Sequence, residues 1–248
     1  MIPVSVIIAV KNEERNIEDA LKSVSGFREI IIIDDFSADR TVSIAQKYTG
    51  NIFQIKWQGF ARQKQSGIDK ASLPWVLVLD ADERVTAPLA DEIRAAVGSA
   101  EYNSYYIPRK NFFLGRWIRH GGWWPDYTLR LFRKNSAHME LREVHEKIIA
   151  RGKAGHCKNP MEHYTYREIS DYIKKMDAYS MLAARELHQK GVPFRFYQLI
   201  LKPPATFLRM LFLQQGFRDG IHGFILASLY SFYTFLKYLK LWEISKLP

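Results

Sequence analysis

Three carboxylates stand directly after a run of five apolar residues in the segment WVLVLDADERV, residues 75–85. They belong to Asp80, Asp82 and Glu83. Carboxylates this close together repel one another unless a positive group lies between them. A divalent metal ion is one such group, because Mg²⁺ is bound through one or two carboxylates together with phosphates and water. The segment therefore predicts a metal site beyond the end of a buried strand.

Three short apolar runs of the sequence are typical of central strands in a parallel sheet, which are buried on both faces. They are VSVIIAV (residues 4–10), EIIII (29–33) and WVLVL (75–79). Apolar residues at helical spacing lie between them, around residues 17–24 and 42–48, and Asp39 is suited to cap the second of these helices. The alternation predicts an α/β fold with an open, mostly parallel sheet flanked by helices.

Polar residues cluster at the carboxyl ends of these predicted strands, where open α/β sheets bind their ligands. They are Lys11, Asn12 and Glu13 after the first strand, Asp34 and Asp35 after the second, and Asp80 and Asp82 after the third. Three acidic strand ends at one sheet edge favour a single binding site. An alternative is that Asp34 or Asp35 only caps the helix that follows.

Composition excludes several classes of protein. The 248 residues are 47% hydrophobic, which is enough for a sizeable core. The one cysteine, Cys157, has no partner for an internal disulfide or a zinc knuckle, so a reducing compartment is expected.

The charged residues are unevenly distributed along the chain. Residues 1–150 carry 21 basic and 19 acidic side chains, whereas residues 151–248 carry 15 basic and 7 acidic ones. The basic C-terminal part suits nucleic acid, anionic lipid or a phosphorylated substrate.

The pattern changes after about residue 102, where aromatic residues and glycines predict loops over a site, with YTLRLF as a returning strand. Apolar spacing predicts a helix over residues 168–190. We expect a catalytic domain over residues 1–165 and a helical, amphipathic C-terminal region over residues 166–248. The uncharged stretch from Ile221 to Leu236 is 16 residues long, which is short for a membrane span. It favours an element lying on an anionic membrane surface, or alternatively helices that pack on the domain or across a homo-oligomer.

The segments VSVIIAVKNEERNIEDAL, EIIIIDDFSADRT and WVLVLDADERV, in this order and spacing, resemble the nucleotide-sugar half of family 2 glycosyltransferases. The resemblance covers roughly residues 3–90 and implies the GT-A fold. Three further segments, GFARQKQSGIDKA, GGWWPDYTLRLFRK and VHEKI, are similar to small β-glucosyltransferase-like members that build lipopolysaccharide core or other glycolipids. The implied reaction is an inverting transfer from a UDP-sugar to a glycolipid or lipid-linked acceptor, assisted by Mg²⁺ or Mn²⁺. The implied location is cytoplasmic, peripheral to the inner face of the cell membrane, with no nucleic-acid partner.

The resemblance also assigns roles to particular residues. Nucleotide-sugar binding falls to Val10, Lys11, Asn12, Glu13, Asp34, Asp35, Lys64, Asp80, Ala81, Trp123 and Trp124, and metal binding to Asp82, Asp80 and His145. Lys64 departs from the family pattern, which usually has arginine there, so its phosphate contact lacks a bidentate fork. Trp123 and Trp124 are candidates for a sugar platform, and core packing is the alternative.

An inverting transfer needs a base that takes the proton of the acceptor hydroxyl. The family often supplies a Glu-Asp pair, which does not occur after residue 90 here. Asp126 is the preferred substitute, because the two preceding tryptophans would desolvate it. Glu143 and Glu146 are the alternatives.

Two other classes of protein stay open from the residues alone. A nucleotidyltransferase also ends its strands in acidic metal ligands, but AVKNEERN lacks the glycine-rich phosphate loop expected after the first strand. A non-catalytic basic protein that binds membrane or nucleic acid would explain the C-terminal charge but not three acidic strand ends.

Overall fold

A computed structural model of the chain describes residues 1–99, 101–140 and 147–246. Its strands are β1 (Ile2–Val10), β2 (Phe27–Asp34), β3 (Ile52–Gln54), β4 (Trp75–Asp80), β5 (Glu83–Val85), β6 (Ser104–Phe113), β7 (Arg116–Trp117), β8 (Asp126–Arg133), β9 (Ala137–Met139), β10 (Ile148–Ala150), β11 (Ala154–His156) and β12 (Met161–Tyr166). Its α-helices are α1 (Ile17–Ser23), α2 (Thr41–Ala45), α3 (Phe60–Lys70), α4 (Ala87–Gly98), α5 (Ile169–Gln189), α6 (Phe196–Leu208) and α7 (Ile221–Lys246).

The chain forms two compact units. Unit 1 consists of Met1–Lys110 and Tyr127–His163, and unit 2 consists of Asn111–Asp126 and the chain from Tyr164 onward. This division differs from the predicted single boundary after residue 165, because residues 111–126 group with the C-terminal helices. The aromatic side chains of this segment pack there, as described below.

A sheet with the strand order β3-β2-β1-β4-β8-β6-β12-β5 forms the framework. Its first four strands are parallel to one another, and they include the three predicted apolar runs. Strand β8 then pairs antiparallel with β4, and β12 pairs antiparallel with β5. The parallel part is covered by helices on both faces, which explains why its strands are apolar throughout. The predicted α/β fold with an open sheet flanked by helices is confirmed.

Side chains of β1 alternate between two hydrophobic clusters, one on each face of the sheet. Val4, Val6 and Ile8 pack with apolar residues of α1 and α4. Ile7 packs on the other face with residues of α3. This alternation follows from the period of two residues along a strand.

Helix α3 approaches the sheet closely at Gly67. A Cβ atom at this position would lie 2.2 Å from Cγ2 of Ile7 and 3.1 Å from Cγ1 of Ile33, both in buried side chains. A residue with no side chain therefore sets the distance between helix and sheet. Lys64 lies on the same helix, and this distance lets its ammonium group reach the end of β4, as described below.

Helices α5 and α6 of unit 2 both pack against α7. Helix α5 matches the helix predicted over residues 168–190. An aromatic cluster built around Phe113, Trp123, Tyr172 and Met176 forms a core of this unit. Strand β6 was missed by the sequence analysis, which predicted loops after residue 102. Within the residues that the structure describes, none of the helices is long and apolar enough to cross a membrane.

Replacing Gly67 by alanine should destabilise unit 1. Alanine gains about 1 kcal/mol of helix propensity, but overpacking against a rigid core costs about 1–3 kcal/mol. Because a Cβ at 2.2 Å from Ile7 is a severe overlap, the cost should lie in the upper part of this range, and we expect a net loss of about 1–2 kcal/mol in the free energy of unfolding, measured by urea denaturation. The matched control is Gly98→Ala at the end of α4, where a Cβ meets no atom within 4 Å. A Gly67→Ala protein as stable as the control would contradict this account of helix packing.

Candidate active site

The register of the parallel strands brings the predicted polar residues to one edge of unit 1. Val10 at the end of β1 lies opposite Asp34 at the end of β2. On its other side, β1 places Ala9 opposite Asp80 of β4. The turns that follow these strands therefore start side by side, as expected for the carboxyl ends of parallel strands.

Asp34 shapes the turn after β2. Its side chain is fully buried and accepts hydrogen bonds from the backbone N–H of Ser37 (3.1 Å to Oδ2), from the Ser37 hydroxyl and from Nε2 of Gln54 (3.2 Å). Asn12 Oδ1 accepts from the N–H of Ala38 at 2.8 Å in the same turn. The carboxylate is thus used to hold the loop, and it does not cap helix α2.

Helix α2 begins at Thr41, and Asp39 lies just before it. The Asp39 carboxylate accepts hydrogen bonds from the N–H of Thr41 (3.0 Å) and of Glu14 (3.1 Å). Glu13 donates its own N–H to the Thr41 hydroxyl at 2.7 Å. The N-cap of α2 is Arg40, one residue after the predicted Asp39. Asp39 instead binds the first N–H of the helix and ties the loop after β1 to the loop after β2.

Asp35 contacts Lys11 and Trp57, and these three residues are called the Asp35 cluster below. Its carboxylate accepts hydrogen bonds from the Lys11 ammonium group and from the backbone N–H of Trp57 (2.9 Å). The hydrogen bond from Lys11 lowers the pKa of Asp35 more than burial raises it. The Trp57 ring is 44% exposed and packs edge-to-face on the exposed Phe60 at 4.6 Å between centroids. The Asp35 cluster therefore combines an ionised carboxylate with an accessible aromatic surface.

Two buried cations lie among the carboxylates that follow β4. Arg130 of β8 donates from Nη2 to Asp80 Oδ2 and to Glu83 Oε1, both at 2.6 Å. The Nζ atom of Lys64 lies 2.8 Å from the other oxygen of Asp80. Glu83 is fully buried and also accepts the backbone N–H of Asp80 at 2.9 Å. Cations of the protein therefore offset these negative charges: Arg130 contacts both Asp80 and Glu83, and Lys64 contacts Asp80.

This ion-pair network controls the charge of Asp80. Burial alone would raise the pKa of its carboxyl group, but the positive charges of Arg130 and Lys64 outweigh burial and hold the pKa well below its ordinary value. Burial likewise lowers the pKa of Arg130, and the charges of Asp80 and Glu83 more than reverse this effect. Asp80 is thus ionised at neutral pH.

Arg84 braces the turn that carries Asp82. Its guanidinium group donates to the backbone carbonyls of Ala81 (2.7 Å) and Asn16 (2.8 Å). The side chain of Asp82 is 20% exposed, and one oxygen lies 3.4 Å from Nε2 of His163. The turn is thereby fixed with a partly accessible carboxylate.

The donor atoms of this turn fit a metal ion that arrives with phosphate ligands. Within residues 1–99, 101–140 and 147–246, no three His, Cys, Asp or Glu side chains are grouped so that they could hold a metal ion. Both oxygens of Asp80 are already bound by Lys64 and Arg130. The partly exposed carboxylate of Asp82 suits Mg²⁺ or Mn²⁺ when phosphates and water supply the remaining ligands.

Asp126, the preferred base, lies in unit 2. Its carboxylate accepts a hydrogen bond of 3.0 Å from Nδ2 of Asn111, whose side chain is buried and also donates to the Trp123 carbonyl at 3.3 Å. Asn111 thus orients the carboxylate from a strand. The two alternative bases, Glu143 and Glu146, and the proposed metal ligand His145 lie outside the described residues.

The two tryptophans before Asp126 have different surroundings. Trp123 is 8% exposed and packs edge-to-face on Phe113 and Tyr230, so it belongs to the core of unit 2. Its predicted role as a sugar platform is therefore replaced by the alternative, core packing. Trp124 is partly exposed and contacts Trp117 edge-to-face at 5.5 Å, and it stays a candidate for sugar contact.

Comparisons with known proteins agree with this geometry. The model of the family described as "Glycosyl transferase family 2" matches residues 5–155. The chain belongs to this family. It is 32% identical to the lipopolysaccharide core biosynthesis glycosyltransferase LpsC of Rhizobium meliloti, over 98% of this chain and 93% of the relative. It is 28% identical to an uncharacterised glycosyltransferase of Rickettsia typhi, over 98% of this chain and 87% of the relative.

Solved structures show the same fold. Crystal structures of S. aureus TarS 1–349, without a named ligand and in complex with UDP, superpose with TM-scores of 0.50 and 0.51. They are 16% and 15% identical and cover 98% of this chain and 90% of TarS 1–349. The predicted GT-A fold of this family 2 glycosyltransferase is thereby confirmed.

Several residues of this family 2 site were missed by the sequence analysis: Arg84, Arg109, Arg130 and Trp57. Arg109 lies 3.7 Å from Glu83, at the edge of the ion-pair network. A usable signal existed only for Arg130, since an arginine inside the apolar strand pattern YTLRLF requires a buried acidic partner. The others are brought to the site by strand pairing and loop geometry.

Replacing Arg130 by glutamine should strongly destabilise the protein, because it leaves Asp80 and Glu83 with less positive charge. Removing one partner of a buried ion pair costs about 3–5 kcal/mol. The control, Arg94→Gln, breaks a surface pair with Asp91 (2.6 Å) and should cost about 0.5 kcal/mol or less.

The loss of stability in Arg130→Gln should become smaller as the pH is lowered. The lowered pKa of Asp80 means that its contribution to stability is present above the unfolded-state pKa of about 4 and is lost as pH falls through the folded-state pKa. The stability difference between wild type and Arg130→Gln, measured by urea denaturation, should therefore shrink as pH is lowered below about 4. A difference that is small at pH 7, or that grows in acid, would contradict the network.

Proposed function

We propose that this family 2 glycosyltransferase moves a sugar from a UDP-sugar to a hydroxyl group of a lipopolysaccharide-type or other glycolipid acceptor, with inversion at the anomeric carbon. The observation that carries the proposal is the register that aligns the polar ends of β1, β2 and β4 in a family 2 chain. The name of LpsC supports a lipopolysaccharide-type acceptor, and the UDP complex of TarS supports a uridine nucleotide.

The donor's nucleotide is assigned to the Asp35 cluster. An ionised carboxylate accepts hydrogen bonds from a base N–H, and the exposed ring of Trp57 offers a stacking surface. Lys11, whose side chain is 57% exposed, carries a charge that suits a phosphate or ribose oxygen. The diphosphate is assigned to the turn of Asp80 and Asp82. A divalent metal held by Asp82 supplies stabilisation of the charge that develops on the leaving diphosphate.

The transfer requires one bond to form and one to break. The acceptor oxygen attacks the anomeric carbon, the bond from that carbon to the diphosphate oxygen breaks, and its electron pair leaves with UDP. The acceptor proton goes to a carboxylate, and we assign this role to Asp126. Asn111 keeps the carboxylate oriented through its 3.0 Å hydrogen bond.

Membership of glycosyl transferase family 2 decides against a nucleotidyltransferase and against a non-catalytic binding protein. The proposed donor contacts lie in unit 1, so they do not explain the excess of positive charge in residues 151–248.

Unit 2 supports attachment to a membrane surface. Its exposed large apolar side chains are concentrated between α6 and the start of α7: Phe196, Tyr197, Ile200, Leu201, Leu208, Phe212, Leu213, Phe217, Ile221 and Phe224. A concentration of exposed apolar side chains in a basic segment is typical of elements that lie in the interface of a membrane. We propose that the enzyme lies on the inner membrane face and meets its lipid acceptor there.

The proposed reaction is tested by incubating the protein with a panel of UDP-, GDP- and ADP-sugars and a lipopolysaccharide-core glycolipid in detergent. We expect release of UDP from at least one UDP-sugar that depends on the acceptor, and a product whose anomeric configuration, read by NMR, is opposite to that of the donor. A product of retained configuration would overturn the inverting mechanism. Transfer only from GDP- or ADP-sugars would overturn the assignment of the donor.

The assignment of Asp126 predicts a separation of binding from chemistry. Asp126→Asn keeps the shape of the side chain but cannot take a proton, so kcat should fall about 10²-fold or more while the affinity for UDP stays unchanged. The control is Asp91→Asn, whose carboxylate is 72% exposed and pairs with Arg94, and which should keep full activity. Full activity of Asp126→Asn together with loss in Glu146→Gln or Glu143→Gln would assign the base elsewhere.

A further inference from the structure

A basic cavity in unit 2 has no role in the proposed transfer. Its volume is about 410 Å³, and it is lined by Arg116, Trp117, Arg119, His120, Arg218 and Asp219. The three arginines come from two separate segments of the chain, the hairpin that contains β7 and the 3₁₀ turn before α7.

A buried carboxylate fixes these two segments together. Asp219 is 3% exposed and accepts hydrogen bonds from the backbone N–H groups of Arg119 (3.2 Å) and His120 (2.8 Å). The N–H of Gly121 also donates to the carbonyl of Gln214 at 2.8 Å. The arginine side chains therefore start from backbone held in one arrangement, which is a requirement for a specific site.

The three guanidinium groups carry more positive charge than the one carboxylate in the cavity lining, Asp219, can offset. Among the side chains that the structure describes, none of the three forms an ion pair with a carboxylate. Arg218 donates to the neutral Oε1 of Gln215 at 2.8 Å, and Arg119 lies over the ring of Trp117 at 4.2 Å. Asp219 is engaged by backbone N–H groups. Three positive charges around one cavity attract an anion, and arginine is suited to bind phosphate oxygens in pairs.

Exposed apolar side chains close to Arg218 in the sequence favour a lipid phosphate over a soluble one. Leu213, Phe217 and Ile221 flank Arg218 in the chain and are 81%, 55% and 63% exposed. A soluble phosphate compound would leave these apolar side chains exposed to water, whereas the acyl chains of a lipid would cover them. Basic and apolar groups side by side are what a phosphate headgroup and its chains require.

We propose that Arg116, Arg119 and Arg218 bind the phosphate of an anionic membrane lipid, with Leu213, Phe217 and Ile221 inserted among its acyl chains. The proposal rests on the membrane association proposed above and is independent of the transfer reaction. It gives a role to Arg218 of the basic C-terminal part and to two arginines of the hairpin that contains β7.

The test measures partitioning of the full-length chain onto sedimented vesicles of phosphatidylcholine, with and without phosphatidylglycerol. The site variant is Arg116→Gln with Arg119→Gln and Arg218→Gln. The matched control replaces the exposed Arg28, Arg151 and Arg185 by glutamine and therefore has the same net charge. General attraction to an anionic surface falls equally in both, so we expect the site variant to bind phosphatidylglycerol vesicles about tenfold or more weakly than the control. Equal binding by the two variants would overturn the site.

Further variants separate the apolar side chains from the arginines, and a lipid from a soluble phosphate. Leu213→Ser with Phe217→Ser should weaken binding to anionic vesicles while stabilisation by UDP stays unchanged, which shows that the variant is folded. The single Arg218→Gln protein serves if the triple variant does not fold, and it should bind anionic vesicles more weakly than Arg185→Gln. Stabilisation of wild type by inorganic pyrophosphate, lost in the site variant and without any vesicle binding, would assign the cavity to a soluble phosphate and overturn the lipid. Vesicle binding is measured without donor, so a failure of sugar transfer leaves it unaffected.

Discussion

The strand-end site depends on the ion pairs that the buried guanidinium group of Arg130 forms with Asp80 and Glu83. The guanidinium group lies 2.6 Å from an oxygen of Asp80 and 2.6 Å from an oxygen of Glu83. Without it, less positive charge would offset the two neighbouring negative charges. The second cation, Lys64, reaches Asp80 because α3 lies close to the sheet at Gly67. The acidic turn after β4 is therefore a consequence of packing by a helix and by an antiparallel strand.

This network also decides how the acidic residues divide their roles. Asp80 and Glu83 are bound by protein cations and hold the turn in shape. Asp82 is partly exposed, on a turn that Arg84 fixes from below through the Ala81 carbonyl. A site that binds a highly charged diphosphate gains from such preorganisation, because no carboxylate has to move when the ligand arrives. Unit 2 separates its tasks in a similar way, with Asn111 orienting Asp126 and the arginine cavity free for a lipid phosphate.

The parallel half of the fold could be predicted from sequence because its strands are buried on both faces. Continuous apolar runs mark β1, β2 and β4, and the polar residues directly after them mark the sheet edge. Strand β6 could not be recognised, because Pro108 and several polar residues interrupt its apolar pattern. The cations around Asp80 come from α3 and β8, and Lys64 is 16 residues and Arg130 50 residues away in sequence. Only tertiary packing shows that Arg130 contacts both Asp80 and Glu83 and that Lys64 binds the other oxygen of Asp80.

The central claim is that the turn after β4 receives the diphosphate of the donor together with a metal ion held by Asp82. Calorimetric titration of UDP, with and without Mn²⁺, into wild type and Asp82→Asn tests it most directly. The account predicts that Mn²⁺ strengthens UDP binding to wild type about tenfold or more, which is about 1.4 kcal/mol, and that this gain disappears in Asp82→Asn. The affinity measured without metal should be similar in the two proteins. A gain from Mn²⁺ that survives in Asp82→Asn would contradict the account.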